Sequence, residues 1–295
     1  MSRPSHGPGD CCGARPGCSR LDPKLPAACQ RMPHPLGAAN LTSRAPELLQ
    51  RMTFLHVPKT GGTTVEDMIP DRSTRKIVEG RGIRWQRSSS WHLPPDVFAT
   101  TKAGRLHVYE NQTVFSVVRE PRERYASEAL WRVGWNDTRT LLPLTDDLGA
   151  FSAGAAAAAA ALAARGRWGA MESESLVHLQ PQAWFVWTEA GVVQSGCVIA
   201  FEKATSLMAV TRMARTEGRR LAKAPPAPAE ADVQPAPPPL LSALYAIDTL
   251  LWAAALASPC LCYRPPALPP AYLARLGRLS QEDLGEIKAL LEQCA

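Results

Sequence analysis

The stretch MTFLHVPKTGGTTVEDM, residues 52–68, contains a strand, a glycine loop and a helix start in the order that an anion-binding site requires. Residues 52–57 form a short apolar run that Pro58 ends, which is typical of a buried parallel strand. Gly61 and Gly62 then predict a tight turn that can bring backbone N–H groups close to a ligand. The stretch therefore predicts a phosphate cradle at the end of a strand.

The helix that follows this loop is predicted to begin with a capping box. Thr63 can cap the first turn, and Glu66, three residues later, can bond back to the cap. Because a helix start carries partial positive charge and N–H donors, an anion against Thr63 and Thr64 is stabilised, and Lys59 adds a full charge. The alternative is an ordinary glycine-rich turn between a strand and a helix.

A second strand followed by a turn is predicted within residues 113–131, TVFSVVREPRERYASEALW. Residues 114–118 are mostly apolar and β-branched, and Pro121 suits the first position of a helix that ends near Gly134. Arg119 is therefore expected at the carboxyl end of a strand, where open α/β sheets bind ligands.

The predicted helix carries Ser127 about two turns beyond this strand end. An arginine fork with a nearby hydroxyl suits a phosphate dianion, so Arg119 and Ser127 form a second candidate phosphate site. The alternative for Arg119 is a surface ion pair with Glu120 or Glu123. Arg122 and Arg124 are expected to stay solvated or to pair with acids, and contact with the nucleotide or acceptor is the alternative.

Between these two motifs, the segment WHLPP at residues 91–95 holds a histidine between a tryptophan and a Pro-Pro turn. A histidine with an ordinary pKa of about 6.5 can accept a proton near neutral pH. We interpret His92 as a candidate general base. The alternative is a packed histidine that only hydrogen-bonds the turn.

These motifs together resemble one enzyme family. PKTGGTT after a strand reading FLHV closely resembles the 5′-phosphosulfate loop of sulfotransferases that use 3′-phosphoadenosine 5′-phosphosulfate, especially the carbohydrate branch typified by heparan sulfate 2-O- and 6-O-sulfotransferases. The strand, Arg-x-Pro turn and serine resemble the 3′-phosphate site of the same family. WHLPP, HLQPQ at residues 178–182, and Tyr245 with Asp248 are similar to further family segments. The resemblance covers roughly residues 50–255.

The resemblance implies an α/β protein with the P-loop-like sulfotransferase fold, a central parallel sheet flanked by helices. It implies transfer of a sulfuryl group from 3′-phosphoadenosine 5′-phosphosulfate to a hydroxyl, most plausibly on a carbohydrate. Lys59 and His92 would be catalytic, and the nucleotide-binding residues would be Lys59, Thr60, Gly61, Gly62, Thr63, Thr64, Arg119 and Ser127. No metal ion is expected, because the lysine and the helix start supply the charge.

Two rival functions remain at this point. A nucleotide kinase would need a lysine after the glycines and an acidic magnesium site, and the sequence order does not provide them. A catalytically silent nucleotide-binding or scaffold protein of the same fold is the stronger alternative, since low-complexity segments indicate relaxed constraint.

Composition favours acidic ligands without requiring a nucleic acid. The formal net charge is +6, which is modest for 295 residues and suits nucleotides, phosphates or sulfated glycans. The eight cysteines lack zinc-finger spacing, and disulfides are expected only in a secretory protein. Glycosylation sequons occur at Asn40, Asn111 and Asn136. The family implies the Golgi lumen or membrane, although no signal peptide or anchor is visible at the N-terminus.

The chain is predicted to divide into three parts. Residues 1–48 form a disordered leader, 49–256 the sulfotransferase domain, and 257–295 a C-terminal extension. An alanine-rich run at 149–166 and a proline-rich run at 223–239 are interpreted as insertions, the first helical by propensity but without a face to define its packing.

Three other stretches are assigned with alternatives. The basic residues 71–90 form either a solvated loop or an acceptor-facing surface. The HLQPQ segment is expected to be mainly a core element, with acceptor binding as the alternative. Residues 240–256 are predicted to pack as a helix, because Asp248 in their middle disfavours a membrane span.

Overall fold

The computed structural model describes residues 52–69, 73, 75, 90–99, 109, 113–134, 148–168, 174–206 and 235–293. The predicted leader, the three sequons, most of the basic stretch 71–90 and most of the proline-rich run lie outside the described residues.

The protein has a three-stranded parallel sheet in the order β1 (Thr53–Leu55), β2 (Val114–Val118), β3 (Cys197–Ala200). Every residue of the three strands is buried, as expected for a parallel sheet with helices on its faces. The predicted α/β class with a parallel sheet is therefore confirmed. Strand β1 is shorter than predicted, because its pairing with β2 ends where Leu55 meets Ser116.

The outer strands each have a further bridge on their open side. Phe54 of β1 forms a parallel bridge with Ser73, and Val198 of β3 forms an antiparallel bridge with Tyr263. The second bridge has two backbone hydrogen bonds of 2.8 Å.

Ten helices flank the sheet in the described part of the chain, together with a 3₁₀ turn at Ser90–His92 and a helical segment at 201–206. They are α1 (Gly62–Met68), α2 (Pro95–Phe98), α3 (Pro121–Gly134), α4 (Leu148–Arg165), α5 (Glu174–Leu179), α6 (Ala183–Val186), α7 (Pro239–Leu244), α8 (Ala246–Ala257), α9 (Pro270–Ala274) and α10 (Gln281–Glu292).

The alanine-rich run is the long helix α4, and the expectation that it has no packing face is wrong. One side of α4 is buried and packs against α3, α5 and α7. Alanines occupy both the buried and the exposed sides, so residue size does not reveal the face in the sequence. The buried side consists of Phe151, Ala155, Ala158, Ala159 and Leu162.

The apolar stretch 240–256 packs in the core, as predicted, but as two helices. Tyr245 separates α7 from α8, and its hydroxyl donates a hydrogen bond of 2.7 Å to the Leu179 carbonyl. Asp248, in the first turn of α8, is fully buried. Within the described residues, no helix is long and apolar enough to cross a membrane.

Residues after α8 share the same core. Helix α10 begins at a capping box between Ser280 and Asp283 and packs against α8. A disulfide joins Cys197 of β3 to Cys262. The ammonium of Lys203 donates to three backbone carbonyls at and beyond the end of α8, at distances of 2.6 to 3.1 Å, which helps to stabilise the exposed dipole of that helix end.

Candidate functional site

The two predicted phosphate motifs leave the sheet at the same edge. Strands β1 and β2 are parallel neighbours, and Leu55 and Ser116 are partners near their carboxyl ends. The loop that carries Lys59 follows β1, and the turn that carries Arg119 follows β2. Both motifs therefore open at the edge of the sheet where α/β proteins bind ligands.

The predicted capping box on α1 is wrong. Gly61, with a φ of 80°, is the N-cap, and no side chain caps the helix. Thr63 consequently lies inside the first turn, where it is exposed. Glu66 is buried instead, and its carboxylate lies 2.9 Å from His56 Nδ1 and 3.4 Å from Arg75 Nη1. The reason is that left-handed glycine starts the helix two residues before Thr63, so Glu66 faces inward.

Lys59 lies in a strained backbone conformation beside a buried acid. Its φ of 65° is the only positive value at a non-glycine residue in the described chain. A left-handed conformation costs about 1–2 kcal/mol for an L-residue with a Cβ. The ammonium lies 3.9 Å from Glu128 Oε2 and 4.8 Å above the Trp131 ring. The Lys59 ammonium, which is the charge predicted for this loop, therefore lies against α3.

Three histidines form the centre of the site. The ring of His92 meets the rings of His56 and His178 edge-on, with centroids 4.6 Å and 5.0 Å apart. His178 Nδ1 lies 2.9 Å from Glu128 Oε2, the same carboxylate oxygen that faces Lys59. A histidine–carboxylate pair thus stands on each side of His92.

The sequence analysis did not identify His56 or Glu128 as members of this group. It considered His178 only as part of the HLQPQ segment and did not predict its contact with His92. One signal was present on α3, where Arg124 and Glu128 occupy consecutive turns of the buried face. Charged side chains at such positions need partners, which makes them candidates for a site. His56 directly follows the buried strand β1, and this position alone did not distinguish it from a core residue.

Arg119 is half buried at the carboxyl end of β2, and Ser127 is half buried on α3. The Arg119 guanidinium lies 4.6 Å above the Phe201 ring, and its Nε is 3.4 Å from Glu123 Oε2. The alternative expectation of an ion pair with Glu123 is thus met in this structure. Such an exposed pair contributes about 0–1 kcal/mol, so a phosphate can displace it.

Arg124 is buried, so the expectation that its side chain stays solvated is wrong. Its guanidinium donates to the carbonyls of His178 and Gln180, at 3.2 Å and 2.7 Å, and lies 4.9 Å above the Tyr245 ring. This arginine holds the HLQPQ segment, residues 178–182, against α3. The segment is fully buried, in agreement with its predicted core position.

Asp248 holds the other end of the same segment. Its two carboxylate oxygens accept hydrogen bonds of 2.8 Å from the backbone N–H groups of Gln182 and Ala183. Burial raises the pKa of Asp248 to about 6, and the nearby charge of Arg124 and these hydrogen bonds oppose that rise.

No protein-family model, curated protein or solved structure matches this chain.

Proposed function

We propose that this protein transfers a sulfuryl group from 3′-phosphoadenosine 5′-phosphosulfate to a hydroxyl, on a carbohydrate acceptor. The observation that carries the proposal is the common sheet edge of two cationic motifs, one with Lys59 and one with Arg119. A donor phosphorylated at both ends of its ribose needs two separate anion sites. A histidine cluster beside Lys59 supplies the proton acceptor that such a transfer requires.

The residues suit the donor in charge and in shape. The left-handed turn at Gly61 folds the loop tightly beside the 5′-phosphosulfate, and Lys59 supplies a full positive charge. Because α1 has only seven residues, we expect the lysine to contribute more to anion binding than the helix dipole does. Arg119 and Ser127 would bind the 3′-phosphate, the arginine through its planar fork.

In the proposed reaction the acceptor oxygen attacks sulfur while its O–H bond breaks and the proton passes to His92. The bond from sulfur to the 5′-phosphate oxygen breaks, and its electron pair leaves with the nucleotide as adenosine 3′,5′-bisphosphate. Lys59 stabilises the charge that develops on the departing phosphate. The loop residues Thr60 to Thr64 align the donor with the acceptor.

Calorimetric titration with adenosine 3′,5′-bisphosphate, followed by transfer of labelled sulfate to a panel of glycans, tests this proposal. We expect binding of the bisphosphate and labelling of at least one glycan. Absence of binding by the intact chain would refute the proposed function.

Lys59 offers a matched pair of variants. Lys59→Ala and Lys59→Gly both remove the ammonium, and each should lose about 10²-fold or more in turnover. Only glycine adopts the positive φ of this position without steric strain. Lys59→Gly should therefore be more stable than Lys59→Ala by about 1 kcal/mol. Sulfate transfer and urea denaturation measure the two effects, and near-normal turnover in either variant would contradict the assigned role.

The alternative is a nucleotide-binding or scaffold protein that transfers nothing. It is favoured by the contacts of the Arg119 guanidinium with Glu123 and Phe201, because they give this arginine partners within the protein. Such a protein would bind the bisphosphate and leave every glycan unlabelled. The two arms of the experiment separate these functions.

A further inference from the structure

We propose that the buried HLQPQ segment positions both halves of the site, with Gln182 fixing the Arg119 backbone and Gln180 fixing the His92 backbone. The proposal rests on the proposed function, because it assigns the donor phosphate to Arg119 and the acceptor proton to His92. It gives this segment a role in catalytic geometry beyond core packing.

Gln182 holds Arg119 by two hydrogen bonds. Its side-chain oxygen accepts from the Arg119 N–H at 2.9 Å, and its side-chain nitrogen donates to the Arg119 carbonyl at 2.8 Å. One amide thus satisfies both backbone groups of the residue, as a neighbouring strand would. This pairing sets the direction in which the arginine leaves the end of β2.

Gln180 makes the corresponding contact on the acceptor side. Its side-chain nitrogen donates to the His92 carbonyl at 2.6 Å. The backbone of the segment also carries His178, whose ring packs against His92. The position of His92 therefore depends on the same five residues that hold Arg119.

The segment can act as a fixed reference because it is anchored on two helices. Arg124 of α3 donates to its His178 and Gln180 carbonyls, and Asp248 of α8 accepts from the Gln182 N–H. The Tyr245 hydroxyl donates to the Leu179 carbonyl within the segment. Since these groups are buried, a shift of the segment would leave several polar groups unsatisfied, which disfavours movement.

The two glutamines should therefore affect different steps. Gln182→Met keeps the length of the side chain and removes both bonds to Arg119. We expect affinity for adenosine 3′,5′-bisphosphate to fall about tenfold, while affinity for adenosine 5′-phosphosulfate, which lacks the 3′-phosphate, stays within about twofold. General destabilisation would weaken the binding of both nucleotides. A loss of affinity seen only for the nucleotide that carries a 3′-phosphate therefore points to the position of Arg119.

Gln180→Met should give the opposite pattern. We expect kcat for sulfate transfer to fall about tenfold with a displaced pH profile, since the proton acceptor loses its fixed position, while bisphosphate affinity is retained. Gln194→Met is the matched control, because the side chain of this half-buried glutamine donates to the Trp184 carbonyl, at 3.4 Å, rather than to Arg119 or His92. It should leave both quantities unchanged.

Gln182→Asn provides a second test if the methionine variant folds poorly. Its amide is one methylene shorter and cannot reach both backbone groups of Arg119, so we expect the same loss of preference for the 3′-phosphate. If the glutamine variants reduce the affinity for both nucleotides equally, or change neither affinity nor kcat, the inference is refuted. In that case bisphosphate binding together with glycan labelling by the intact chain would still uphold the proposed function. If the intact chain binds no bisphosphate, both fail.

Discussion

Gly62→Ala tests how tightly the glycine loop is packed against the histidine cluster. A Cβ at this position would lie 2.2 Å from His56 Nε2 and 2.4 Å from its Cδ2. The imidazole ring would have to retreat by about 1 Å to reach ordinary contact distance. Its retreat is opposed by the hydrogen bond to Glu66 and by packing on Phe54 and His92.

The expected penalty has two parts. Overpacking at a buried site costs about 1–3 kcal/mol. Weakening of the hydrogen bond between His56 and Glu66 adds about 1 kcal/mol, because both groups are buried. We therefore expect Gly62→Ala to lower the free energy of unfolding by about 2–4 kcal/mol.

Urea denaturation measures this loss as a lower transition midpoint with an unchanged slope. Gly285→Ala in α10 is the control, because a Cβ there meets nothing within 4 Å. It should stabilise the chain by about 0.5–1 kcal/mol. In a His56→Ala background the Gly62→Ala penalty should largely disappear. The reasoning is refuted if Gly62→Ala behaves like the control, or if its penalty is the same with and without the imidazole.

Three further changes have expected effects on stability. Lys203→Met leaves three carbonyls at the end of α8 without the ammonium, so the unfolding free energy should fall by about 1.5–3 kcal/mol in urea denaturation. The pKa of Asp248 rises to about 6 on folding, so the folded chain binds a proton that the unfolded chain has released between about pH 4 and 6. Stability should therefore fall by up to about 3 kcal/mol as pH rises through that window, and Asp248→Asn should lose this slope in denaturation at several pH values. Cys262→Ser removes a cross-link between residues 65 apart, which should cost about 4 kcal/mol and lower the thermal midpoint.

Each of these changes has its own control. Lys203→Arg keeps a charge and should lose less than the methionine variant. An equal pH slope in Asp248→Asn and the unchanged chain would show that other groups, and not this carboxyl, set the slope. Reductant should lower the midpoint of the unchanged chain, and an equal further drop in Cys262→Ser would contradict the assigned effect of the cross-link.

The sequence predicted the sheet well because buried parallel strands are continuous apolar runs. The runs at 52–57 and 114–118 contain β1 and β2. The face of α4 was not predictable, since alanine offers no contrast between inside and outside. The break occurs at Tyr245, whose hydroxyl donates a hydrogen bond to the carbonyl of Leu179, a residue distant in sequence, and no local pattern shows that contact.

The candidate site was predicted only in part. The positions of Lys59 and Arg119 follow from local motifs, and both lie where the strand ends predicted them. Glu66 was misassigned, because the partner that turns it inward is His56, which lies ten residues earlier across the loop. The two glutamine contacts join segments more than sixty residues apart, and no local pattern can show such pairings.

The bridges at Ser73 and Tyr263 bear on how this protein can be prepared. They occupy backbone groups on the open sides of β1 and β3, which would otherwise offer templates for pairing with another chain. A recombinant fragment ending after α8 would lose Tyr263 and expose part of the β3 edge, together with the core surface that α10 covers. Such a fragment would tend to self-associate, so samples for nucleotide titration should contain the full chain, including α10.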